Sequence, residues 1–313
     1  MSRNYGLGTR DMSSAGRIAL DQAVGRGELS FASVDAIADR FSKFASYAKA
    51  EGIGRMERID AEQVREYGRN LADLVQQGEM AASYAQNLVS AVNTVMTQAT
   101  RGEWQSVSPT RECGIEQRSA IREDAPVGLD RQTFSRAVEA MRESGMARQA
   151  CIAELAREFG LRSKEASLLD ARSALAEARQ AGTVTISEGT KGGRTREIPL
   201  SSATQLEVLS RAVEVQGNSR NLVPTEASWR EWREGGLRDG REAIQAHGIN
   251  GYHDLRAAYA CERYETLTGH AAPVMGGHID NRQADRNARE QISHELGHDR
   301  IEVVAEYIGG RGT

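Results

Sequence analysis

Between residues 31 and 100 the apolar positions fall at helical spacing. Val34, Ile37, Phe41, Phe44 and Ala48 recur every three or four residues, which predicts one buried helix face. Asp60 with Gln63 forms a capping-box pattern ahead of a second stripe, Val64, Leu71, Leu74 and Val75. A third helix follows in which no charge occurs between Glu79 and Arg101. There Leu88, Val92, Val95 and Met96 share one face, and Gln86, Asn87, Ser90, Asn93, Thr94 and Thr97 share the other. Exposed helix faces usually carry Glu and Lys. A face of amides and hydroxyls suits phosphates and base edges, where carboxylates repel. It suits equally well a face packed against another part of the protein.

The periodicity lapses over 101–128, where Ser106, Ser108, Pro109 and Pro126 break it, and this stretch reads as a linker. Beyond it, Phe134, Val138 and Met141, then Ile152, Leu155 and Phe159, mark two more helices. Val184 to Ile186 and Arg196 to Leu200 read as strands of a hairpin around the glycine-rich turn 189–193. Further helices are expected from about residues 203, 226, 252 and 300. The leading segment 1–30, glycine-rich with scattered arginines, reads as an N-terminal arm. The expected organisation is thus an arm (1–30), a helical domain (31–100), a linker (101–128) and a mainly helical domain with one small antiparallel sheet (129–313).

Composition narrows the function classes. The chain has 313 residues, 39% of them hydrophobic and 27% charged, which is enough for two packed cores. No apolar run reaches membrane-spanning length and the N-terminus lacks an apolar signal core, so a cytoplasmic protein is expected. Cys113, Cys151 and Cys261 are too few and too scattered for a disulfide framework or a zinc cluster. The net charge of −4 gives no support to a nucleic-acid partner. Its cations nevertheless leave one open, because all but Lys43, Lys49, Lys164 and Lys191 are arginines, which grip phosphate oxygens in pairs.

Metal, nucleotide and serine chemistries find no motif. There is no HExxH, His294 and His298 form a bare i, i+4 pair without a third ligand, and the glycines near Lys191 do not make a phosphate loop. No cofactor is expected. What remains is an ordered set of short boxes: Arg162 at a joint between helices, with Glu165 close by; Lys191 on the hairpin turn; His253 and Arg256 at i, i+3; Leu296, Gly297 and His298; and Tyr307 nine residues after that histidine.

In this order and spacing the boxes resemble the tyrosine recombinase (phage-type integrase) family, over roughly residues 128–308. The resemblance implies a helical, SAM-like core-binding domain joined to an α+β catalytic domain, closing on DNA as a C-shaped clamp. It implies a metal-free, nucleotide-free site-specific recombinase. Tyr307 would be the nucleophile of a 3′-phosphotyrosine intermediate, and Arg162 and Arg256 the clamp on the non-bridging oxygens. Lys191 would be the general acid, His253 an aid to proton transfer, His298 a phosphate ligand and Glu165 a support for an arginine. Its partners would be double-stranded DNA carrying a specific site and, on two duplexes, a homotetramer that is a monomer off DNA; accessory proteins stay open, and the location would be the bacterial nucleoid. The polar positions of 82–99 would contact DNA, with arginines near Trp229 to Arg233 assisting.

Two features depart from the pattern. The interval between Arg256 and His298 is longer than the resemblance leads one to expect, placing an insertion at 268–287 that reads as a solvated loop. The segment after Tyr307 is short and glycine-rich. Two rival functions share the chemistry or the fold: a type IB topoisomerase-like relaxing enzyme, and a catalytically silent architectural protein.

Overall fold

The computed structural model describes residues 3–117, 119–298 and 300–311; Met1, Ser2, Arg118, Asp299, Gly312 and Thr313, which fall in the expected arm, linker and catalytic domain, lie outside the described residues. No helix among these residues is long and apolar enough to cross a membrane. The chain divides into two compact units, Met1–Ser119 and Ala120–Thr313.

The first unit is built from α1 (Met12–Gly25), α2 (Phe31–Ala50), α3 (Ala61–Gln76) and α4 (Ala82–Ala99). Leu20, Val34, Phe41, Phe44, Val92 and Met96 are wholly or almost wholly buried at its centre. Each such side chain contributes about 1.5–3 kcal/mol relative to exposure. Phe44 meets Tyr67 edge-on at 5.2 Å between centroids, fixing α2 against α3. The side chain of Asp60 accepts from the amides of Glu62 and Gln63, and Gln63 reaches back to the Asp60 amide, so the capping box starts α3.

Two segments differ from expectation here. Residues 12–25 are not an arm but a core helix: Ala15, Ala19, Leu20 and Ala23 are buried, and Gly16 packs so tightly that a β-carbon there would lie 2.5 Å from the Phe41 ring. The glycine that suggested a loose segment serves close helix packing instead. The stretch after α4 is likewise no free linker, because Val107, Cys113 and Ile115 are buried in the first unit. Asn93 holds it there. Its Oδ1 accepts from the Trp104 indole at 3.0 Å and the Val107 amide at 2.9 Å, and its Nδ2 donates to the Val107 carbonyl at 2.8 Å.

The second unit comprises α5 (Arg131–Glu143), α6 (Ala147–Phe159), α7 (Ser163–Leu168), α8 (Ala171–Ala181), β1 (Thr183–Ile186), β2 (Arg196–Pro199), α9 (Ala203–Gln216), α10 (Trp229–Glu234), α11 (Gly236–Gln245), α12 (Tyr252–Thr268), α13 (Arg282–Glu295) and α14 (Ala305–Ile308). The hairpin pairs antiparallel with Val184 opposite Ile198 and Ile186 opposite Arg196. Its alternation sends Val184, Ile186 and Ile198 inward, and Arg196 with them. A central α6, almost wholly buried, packs against α9 and α12 and so fixes the elements that carry the boxes.

The expected loop 268–287 also differs. Pro273–Met275 forms a short 3-10 turn, and Asn281 caps α13 by accepting from the amides of Gln283 and Ala284, so helix begins inside the stretch. Asp285 is buried, and Ala272 packs into an apolar cluster with Tyr264, Ile292 and Ile308.

Candidate active site

The joint between α6 and α7 supplies the first arginine. α6 ends at Gly160, whose positive φ of 61° and close approach to the Tyr259 ring admit only glycine. Two residues on, Arg162 caps α7. Its backbone amide donates to Glu165 Oε2 at 2.8 Å and its Nη1 to Oε1 at 2.8 Å. Its Nη2 then lies 3.4 Å from His298 Nε2.

Glu165 is completely buried and holds more than Arg162. Arg196, from β2, donates to both of its oxygens at 3.0 and 2.7 Å and to the Glu295 carbonyl at 2.7 Å. Burial alone would raise the Glu165 pKa, but the Arg196 hydrogen bonds and charge, with Arg162, outweigh it and keep the carboxyl below its ordinary value. Arg196 therefore ties the hairpin to the Arg162 joint and to the end of α13. Sequence reasoning missed it, although one signal existed: strand alternation puts residue 196 on the same face as Ile198.

α12 supplies the second arginine. Arg256 is 1% exposed and spends Nη1 on the Gly160 carbonyl and Nη2 on the Leu296 carbonyl, so it is fixed by backbone on both sides. Its Nε donates to the Tyr307 hydroxyl at 3.3 Å, and its guanidinium carbon stands 5.3 Å from that ring's centroid. Burial, and then the neighbouring Arg162, bring its pKa down to about 10, which still leaves it charged at neutral pH.

His298 and Tyr307 close the set. His298 follows the Leu296, Gly297 turn, held by its amide to the Ser293 carbonyl at 2.8 Å. Its Nε2 lies 3.0 Å from the Tyr307 hydroxyl and 3.3 Å from Arg256 Nη2. Burial first, then Arg256, Arg162, Arg196 and Lys191, push its pKa down to about 4. The ring is thus neutral at neutral pH, and with two guanidinium groups aimed at it Nε2 is the lone-pair nitrogen. Tyr307, on α14, is 3% exposed: its ring belongs to an apolar cluster with Val304 and Ile308 while its hydroxyl meets the polar group.

The structure thus brings Arg162, Glu165, Arg256, His298 and Tyr307 together. His253 is exposed beside them, its ring 5.1 Å from that of Tyr307, and its pKa is lowered by partial desolvation, then by Arg256 and Arg122. Lys191 is not in contact. It stands exposed on the turn 191–193 and makes no hydrogen bond or ion pair among the described residues, though its charge reaches His298. Among the described residues no three His, Cys, Asp or Glu side chains gather as metal ligands.

On α4, the six expected DNA-contacting residues divide. Asn93 is consumed by the 104–107 segment, and Gln86 donates to the Glu116 carbonyl at 2.6 Å. Asn87, Thr94 and Thr97 are half-buried and Ser90 is exposed. For Asn93 the packing alternative to DNA contact is the one realised, because all three of its hydrogen bonds are made inside the unit.

Residues 118–262 match a protein-family model described as Integrase; Leu296, Gly297, His298 and Tyr307 lie beyond the matched segment. No curated protein matches the sequence. In fold the chain is similar to part of lambda integrase, solved as a dimer bound to a COC' core site, at 16% identity, a TM-score of 0.61 and 93% coverage of each chain. It is similar to XerH site-specific recombinase bound to palindromic difH substrate in a post-cleavage complex, at 16% identity and a TM-score of 0.59, over 95% of this chain and 81% of that one. It is also similar to the Tn1549 transposon integrase in complex with transposon right end DNA, at 8% identity and a TM-score of 0.60, over 95% of each. The mainly α fold with its small antiparallel sheet is therefore the architecture of tyrosine recombinases.

Proposed function

We propose that this chain, whose residues 118–262 match the integrase family model and whose fold is that of tyrosine recombinases, is a site-specific DNA recombinase of that family that cuts and rejoins DNA through a covalent 3′-phosphotyrosine at Tyr307. The observation that carries the reading is the Tyr307 hydroxyl, 3.0 Å from a neutral imidazole nitrogen and 3.3 Å from a buried, charged guanidinium.

The chemistry follows from those positions. A phosphodiester anion resists nucleophiles, and its transition state gathers charge on the non-bridging oxygens. Arg162, one-quarter exposed, and the buried charge of Arg256 beside Tyr307 meet that charge where water is largely excluded, which is the electrostatic term that usually dominates. The tyrosine proton passes to His298 Nε2, and the phenolate oxygen forms the new bond to phosphorus as the bond to the 5′ oxygen breaks. This makes His298 an acceptor for the nucleophile's proton as well as a phosphate neighbour. An arriving phosphate offsets the two guanidinium charges and so raises the basicity of His298 at the moment it is needed. Lys191, on its glycine-flanked turn, swings in to protonate the departing 5′ oxygen, with His253 assisting. Rejoining is the reverse.

The partner is double-stranded DNA with a specific site. Exchange of four strands between two duplexes needs four such sites, hence a homotetramer. Ser90, Asn87, Thr94 and Thr97 of α4 are the DNA contacts of the first unit, and arginines near Trp229 add phosphate contacts. The test is covalent capture: protein mixed with sheared host DNA, without metal or nucleotide, denatured in detergent and sequenced for attached DNA. Native protein should trap a discrete site and Tyr307→Phe none, with binding retained; equal trapping by both proteins would overturn the reading.

A further inference from the structure

The four-residue helix that carries Tyr307 is too short to fix its own geometry, and its last carbonyls have no partner within the helix. The Tyr307 carbonyl meets the Cys261 thiol at 3.8 Å, and the two carbonyls just beyond the helix, those of Gly309 and Gly310, are taken up by a residue of α13. Arg289, 3% exposed, donates from Nη1 to the Gly309 carbonyl at 3.2 Å and from Nη2 to the Gly310 carbonyl at 3.3 Å. Its Nε is locked onto Asp285 Oδ1 at 2.8 Å. Asp285, 5% exposed, is itself held by the Tyr264 hydroxyl at 2.9 Å, and its other oxygen by Arg311 at 2.8 Å. Gly309, at φ 87°, passes so close to Val274 that a β-carbon would lie 2.9 Å from the Val274 nitrogen. At the start of the helix the Arg122 amide donates to the Ala305 carbonyl at 2.9 Å.

We infer that Asp285 and Arg289 are positioning residues for the nucleophile: a buried ion pair on α13 grips the backbone just after Tyr307 and sets where its hydroxyl stands in the phosphate pocket. This rests on the strand-transfer reading of Tyr307. Buried charges are costly unless fully paired, and apolar side chains would pack the same space at least as well. What a guanidinium adds is a rigid planar fork that fixes two successive carbonyls relative to a third group. The longer interval between Arg256 and His298 thereby acquires a role in the reaction, since Asp285 and Arg289 both lie within it, Asp285 inside 268–287 and Arg289 just beyond that stretch.

The test separates placing the nucleophile from building the pocket. A duplex bearing the captured cleavage site, nicked just beyond it so that the short leaving strand diffuses away, is offered in two formats. In one, Tyr307 attacks. In the other, the protein carries Tyr307→Phe and hydrogen peroxide is the nucleophile, using the same arginines but not the tyrosine. Arg289→Gln, and separately Asp285→Asn, should lower tyrosine-dependent cleavage about 100-fold, the scale expected for an ångström-sized misplacement. Peroxide-dependent cleavage and DNA binding should be unchanged. Arg289→Lys, which restores the charge without the fork, should recover only part of the loss. Parallel loss in both formats, or loss in neither, overturns the inference. Failure of the otherwise unaltered protein in both formats strikes instead at the strand-transfer reading, and is recognised because it precedes any change at 285 or 289.

Discussion

In the proposed reaction His298 decides whether Tyr307 can lose its proton. Burial and the surrounding guanidinium groups bring its pKa from the ordinary 6.5 to about 4, so the folded protein binds fewer protons than the unfolded chain between those values. The stability linked to this group is therefore complete above pH 6.5 and is lost as pH falls towards 4; His253, also lowered, acts in the same direction. For the reaction, kcat/KM reports the free enzyme's groups. The acid limb of kcat/KM for cleavage should thus bend near pH 4 rather than 6.5, measured while circular dichroism shows the protein still folded. A bend near 6.5 would mean that the imidazole is not held neutral by its neighbours. At this scale the family spacing singled out Arg162, Arg256, His298 and Tyr307, and the structure brings these four side chains together. Arg196 escaped notice because a charged residue in a short strand reads as solvent-facing; alternation puts it on the inward face, and its salt bridge to the buried Glu165 satisfies its charge there.

At the scale of elements, helices with apolar stripes could be read directly, and α1 and α13 could not. In α1 the buried positions are mostly alanine and glycine, residues that give a weak apolar signal and resemble a flexible segment. In α13 the inward face includes Asp285, Arg289 and Ser293, so the buried stripe is largely polar and its helical period is invisible to a hydrophobic pattern. The placement of α1 has a direct consequence. Gly16→Ala forces a methyl group against the Phe41 ring and should cost about 1–3 kcal/mol in denaturant unfolding, as overpacked cores do. A mobile arm would tolerate the change, so an unaltered midpoint would show that α1 does not belong to the core. The hairpin was legible because both devices that specify it, alternation and a glycine-rich turn, are local.

At the scale of the whole molecule, two units with separate cores carry different parts of the proposed function: α4 offers polar side chains in the first, and the second holds the phosphate pocket. Net charge gave no guidance because many arginines are committed to internal pairs, such as Arg157 with Glu262 and Arg263 with Glu295, while only Arg162 and Arg256 are placed beside Tyr307 and His298 in the proposed site. The central claim is that Tyr307, and no other group, becomes covalently joined to the 3′ phosphate of a cut DNA strand. It is tested most directly by trapping the protein on DNA, digesting with nuclease and protease, and identifying the nucleotide-bearing peptide by mass spectrometry. The account predicts a single adduct, on Tyr307, linked through a 3′ phosphate. An adduct on another residue, or none from protein that still binds the DNA, would contradict it.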